Sequence, residues 1–140
     1  MDRIDPQDLL PVAFRLFGKK RAARLGLALA SKTVGPHWVG ATARRHFIDG
    51  FESMDPEAIV ATYRTVVEAR PVDPASIHCP VLLIKGDADA RSINAQMDEL
   101  GEKMLDARAE TVPAGHVASL DDPAAFNRLL VRFLDQHDPA

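Results

Sequence analysis

The chain has 140 residues, 46% hydrophobic and 26% charged, with a net charge of −3. That length suffices for one domain with a real core, and no stretch reaches the roughly 18 apolar residues of a membrane span. The single cysteine, Cys79, excludes an internal disulfide framework and any multi-cysteine metal site. The opening MDRIDPQDLL carries acids where a secretory signal needs a basic and then an apolar run, so a cytoplasmic location is expected.

Residues 1–70 read as helix throughout, without a strand. Asp5-Pro6 offers a cap followed by proline at the first helical position, and Leu10, Ala13, Phe14 and Phe17 then recur at helical spacing. Gly18 closes that helix. A second helix is expected through KKRAARLGLALAS, and Gly35-Pro36 breaks the chain before a third, HWVGATARRHFIDGF. Asp55-Pro56 repeats the cap, with Ile59, Tyr63, Val66 and Val67 on one apolar face. This half holds 11 Lys/Arg against 8 Asp/Glu, and the excess gathers in GKKRAAR. No aromatic residue interleaves there and the whole chain is acidic, so a solvated helix face is expected rather than a nucleic-acid contact.

Past the proline-rich ARPVDPASIHCP the pattern changes. VLLIKGDAD is a continuous apolar run ending in glycine and acids, as expected of a buried parallel strand. Ile93, Met97, Leu100 and Met104 mark a helix, and AETVPAG a second short strand. Asp122-Pro123 then caps a last helix with the face Phe126, Leu129, Leu130, Phe133 and Leu134. The order β-α-β-α with a right-handed crossover makes the two strands parallel and adjacent. Asp89 and His116 each lie just beyond the carboxyl end of one strand, where such sheets gather their chemistry. An aspartate that accepts from an imidazole N–H fixes the tautomer and stabilises the imidazolium formed when the other nitrogen takes a proton.

These residues carry a resemblance. IHCPVLLIKGDAD (Ile77 to Asp89) is similar to the α/β-hydrolase strand that leads to Gly-x-x-Asp, and VPAGHVASLDDPAAFNRLLVRFL is similar to that family's terminal Gly-His segment. Over about residues 74–136 the chain resembles the carboxyl-terminal half of an α/β-hydrolase. Within the family, AAFNRLL is most like the enol-lactonase and small esterase members. The resemblance implies an α/β fold, in part that of an α/β-hydrolase: residues 1–70 as a helical lid, residues 71–140 as the β-α-β-α part of the core. It implies Asp89 as the acid and His116 as the base of a Ser-His-Asp triad, with Asp87 as runner-up acid. Ile93 departs from the proline common there, which bears on the loop shape alone.

The nucleophile is missing. No Gly-x-Ser-x-Gly turn occurs, nor a His-Gly oxyanion loop. Ser31, Ser53, Ser76, Ser92 and Ser119 read as loop or helix-end hydroxyls, and Cys79, just before Pro80, as a core-lining thiol. His37, His46, His78 and His137 form no metal spacing, and no metal or other cofactor is expected. Trp38, Phe14, Phe17, Phe47 and Phe51 could line an acyl pocket but are expected to pack helices. The expectation is a fragment that hydrolyses an ester or lactone only when its missing amino-terminal half is supplied. It would be inactive and marginally stable alone, with an open strand edge that invites self-association. The alternative is a non-catalytic remnant or small-molecule-binding module of the same fold. Neither nucleic acid nor membrane is an expected partner.

Overall fold

The computed structural model describes residues 6–137; the side chains of residues 6–10, 33, 63 and 67 lie outside that description. The chain forms two compact units. One comprises Met1–Ala30 and Arg44–Pro71, the other Ser31–Ala43 and Val72–Ala140.

The first unit is helical, built from α1 (Pro6–Phe17), α4 (Pro56–Glu68) and most of α2 (Lys19–Val34) and α3 (Ala41–Ser53). The expected cap Asp5 lies outside the described residues. Gly18 ends α1 at φ 73°, its N–H donating to the Phe14 carbonyl at 3.0 Å. Asp55 caps α4 by accepting from the Glu57 N–H at 2.8 Å. Phe14, Ala23, Leu27 and Ile59 are buried, and Phe51 meets Phe14 edge-on at 6.3 Å and Phe47 at 4.6 Å. These phenylalanines pack helices, as expected. Two face assignments fail: Val66 is 71% exposed and Phe17 51% exposed. Tyr63 and Val67, assigned to the same α4 face as Val66, lie outside the described side chains. Hydrophobic spacing alone does not say which residues of a broad apolar stripe find a partner.

The second unit contains a parallel pair, β1 (Val81–Gly86) and β2 (Ala107–Val112), joined through α5 (Arg91–Lys103). Their register runs from Val81 opposite Ala107 to Gly86 opposite Val112, so both strands end level. A four-residue turn of helix, α6 (Ala118–Asp121), and then α7 (Pro123–His137) complete it. Val112, Ala114, Ala118 and Ala125 form the core, with Ile84, Phe126 and Leu129 packed on it. Small alanines at three of these positions let α6 and α7 approach the strand ends closely. The Lys85–Asp98 ion pair ties β1 to α5. As expected, Asp122 caps α7, accepting from the Ala125 N–H at 2.9 Å. Asp122→Ala is expected to cost about 1 kcal/mol, read as a lowered urea midpoint.

Four expectations are corrected. Val81–Ile84 is half-buried rather than fully buried, because the described sheet has only two strands and each keeps a free edge. Cys79 is exposed, not core-lining, since it precedes the strand and lies outside the sheet's covered surface. Leu134 is 54% exposed near the end of α7. The third helix begins at Ala41, not His37, because residues 37–40 are held in a non-helical path by bonds to the distant His116 N–H and Asp121 carboxylate.

Candidate active site

The loops that leave β1 and β2 are stitched together. The Asp87 N–H donates to the Val112 carbonyl at 3.0 Å and the Ala88 N–H to the Ala114 carbonyl at 3.0 Å. The first loop turns back on itself through the Asp89 N–H and the Gly86 carbonyl at 3.3 Å, and Asn94 Nδ2 caps the same carbonyl at 3.0 Å. This places Asp89 across from the second loop. Its Oδ1 accepts from the Ala90 N–H at 2.6 Å, and its Oδ2 lies 2.9 Å from His116 Nδ1.

Burial differs sharply across the pair. The Asp89 side chain is 6% exposed and that of His116 47% exposed. A carboxylate can only accept a hydrogen bond, so with it His116 carries its proton on Nδ1 and leaves Nε2 as an acceptor. No described residue hydrogen-bonds Nε2. The arrangement is a sheltered carboxylate that orients an accessible imidazole.

The segment before α3 forms the far side of the imidazole. The His116 N–H donates to the Trp38 carbonyl at 2.6 Å, and the indole lies 5.8 Å from the imidazole, tilted by 43°. Trp38 Nε1 in turn donates to Ser31 Oγ at 3.2 Å. The sequence grouped Trp38 with the helix-packing aromatics; Gly35-Pro36 before it and Gly40 after it were the signal for a non-helical strap. Asp121, which no motif in the sequence singles out, accepts from backbone N–H groups on both sides of this contact.

The remaining candidates stand apart. Asp87 is exposed and does not bond His116. No described serine hydrogen-bonds His116; Ser53 and Ser76 bond the carbonyls of Gly50 and Asp73, and Ser119 is exposed. His37, His46, His78 and His137 are exposed, and the described residues contain no group of three His, Cys, Asp or Glu side chains placed to hold a metal ion. No described helix is long and apolar enough to cross a membrane.

No protein-family model and no curated protein sequence matches the chain. Among solved structures it is similar to the enol-lactonase from Burkholderia xenovorans LB400, with a TM-score of 0.70 and 25% identity over 92% of this chain. The chain has the fold of the carboxyl-terminal half of an α/β-hydrolase. It spans 50% of the length of that enol-lactonase. Within this fold the paired strand ends bring Asp89 and His116 within hydrogen-bonding distance. The intervening 26 positions, including all of α5, serve to return the chain to the same edge of the sheet.

Proposed function

We propose that this chain supplies the acid and the base of a serine hydrolase acting on an ester or lactone. The reading rests on one observation above all: Asp89 Oδ2 stands 2.9 Å from His116 Nδ1 at the carboxyl ends of adjacent parallel strands. The similarity to an enol-lactonase supports a small lactone or ester as substrate. Residues 1–70 act as a lid segment and residues 71–140 as part of the core. The nucleophile comes from an amino-terminal half that carries Gly-x-Ser-x-Gly, since this sequence has none. The free edge of β1 is the natural place for a further strand to add.

In the completed site His116 Nε2 takes the serine proton as the hydroxyl oxygen attacks the carbonyl carbon. Asp89 stabilises the imidazolium so formed. The imidazolium returns the proton to the departing alkoxide, giving an acyl-enzyme. Water then attacks the acyl carbon, losing its proton to His116, and the serine leaves with that proton restored.

The chain alone is expected to take no fluorophosphonate adduct, read by intact mass. A label on the isolated chain would show a nucleophile within these residues and overturn the reading. Supplied with the amino-terminal half of the fold, in trans or by fusion, it is expected to hydrolyse p-nitrophenyl esters and enol-lactones. That turnover is expected to vanish in His116→Ala. Turnover that survives the substitution would remove His116 from the mechanism.

A further inference from the structure

The loop that bears His116 has a fastening the reaction scheme does not use. Asp121 Oδ2 accepts from the Gly115 N–H and from the Gly40 N–H, each at 3.0 Å. One carboxylate oxygen thus gathers two distant stretches of backbone, one of them 81 residues before Asp121 itself. The next residue adds a rung, from the His116 N–H to the Trp38 carbonyl. The two amides nearest the imidazole are therefore fixed on successive residues, one by a side chain and one by the strap.

Local sequence explains how Asp121 arrives there. The α6 turn starts two residues after His116, and its bonds from the Leu120 and Asp121 N–H groups to the Val117 carbonyl, at 2.9 and 3.0 Å, fold the chain back under its own loop. The approach is so close that a methyl group at Gly115 would collide with the Trp38 carbonyl and the Asp121 carboxylate. At Gly40 a methyl would strike the same carboxylate. Asp121 Oδ1 is buried with no hydrogen-bond partner among the described residues, so the carboxylate is held for what Oδ2 alone does. Burying a polar oxygen unsatisfied is costly, and it is tolerated where the other oxygen has a compensating task.

We propose that Asp121 is a positioning residue: by clasping the Gly115 and Gly40 amides it sets the backbone from which His116 reaches Asp89. The inference deepens the hydrolase reading and rests on it for its catalytic meaning, but its geometry is testable without turnover. It makes the loop's alignment depend on an acceptor five residues after the base rather than on the core beneath.

The test is proton and nitrogen NMR of the chain labelled with nitrogen-15. The His116 Nδ1–H signal is expected in the wild-type chain and lost in Asp89→Ala. Under conditions where Asp121→Ala remains folded by circular dichroism, the same signal is expected to broaden or disappear. In Asp121→Asn, which keeps an oxygen acceptor, it is expected to persist. A folded Asp121→Ala with an unchanged His116 signal would make Asp121 merely structural and overturn the proposal. Should the alanine variant not fold, Asp121→Asn decides by hydrogen exchange. A neutral acceptor replaces a charged one, so the Gly40 and Gly115 amides are both expected to exchange about tenfold faster. No change at either amide would overturn the proposal. In the completed hydrolase, Asp121→Ala is expected to lower kcat with little change in KM. Absence of hydrolysis with the NMR pattern intact would refute the hydrolase reading and leave the positioning in place.

Discussion

Asp89→Asn is expected to lower ester hydrolysis by about 10,000-fold in the protein completed with its nucleophile half. The size follows from how the two carboxylate oxygens are committed. Oδ1 accepts from the Ala90 N–H at 2.6 Å, so the asparagine carbonyl takes that position and its amide NH2 faces His116. An NH2 group donates, which obliges Nδ1 to accept and moves the imidazole proton to Nε2. The nitrogen that must take the serine proton then already holds one. Shape and packing are preserved, so substrate affinity should survive while kcat collapses. Steady-state kinetics on a p-nitrophenyl ester would show this, and a loss smaller than tenfold would mean that Asp89 does not set the tautomer.

The second large effect is expected at Gly86, the buried last residue of β1. A methyl group there would collide with the carbonyl oxygens of Ala114 and Gly115. Both are backbone atoms of the loop that carries His116, and the same loop is fastened by Asp121 and by Trp38, so neither can yield cheaply. Gly86→Ala is therefore expected to destabilise the chain by about 3 kcal/mol, read from urea unfolding. Whatever folds should have the two loops pushed apart and the Asp89–His116 contact broken. A wild-type urea midpoint would show that the loops can separate without cost.

Sequence is most informative where local rules act alone. Asp122-Pro123 announced α7, the VLLIK run announced β1, and one crossover of helical period placed Asp89 and His116 at the same sheet edge. It fails where long-range bonds decide the path. His37, Trp38 and Val39 have side chains compatible with a helix, and nothing local says that the Trp38 carbonyl is reserved for the His116 N–H. Asp121 was hidden for a similar reason: beside a clear cap at Asp122, a second aspartate looks redundant until Gly40 and Gly115 are seen to share it. Cys79 adjoins an apolar run yet is exposed, because it lies before the paired register begins at Val81.

The 81-residue separation between Gly40 and Asp121 also sets an order of events during synthesis. The strap around Trp38 leaves the ribosome before the loop after β2, so the Trp38 carbonyl and the Gly40 N–H wait for His116 and Asp121. Closing so long a loop carries an entropy cost that the β1-α5-β2 crossover, with its nearer partners, largely avoids. A nascent chain halted after Val112 would hold both strands in sequence yet lack both the imidazole and its clasp. The imidazole therefore acquires its fixed place only after β2 and the loop that follows it have been made.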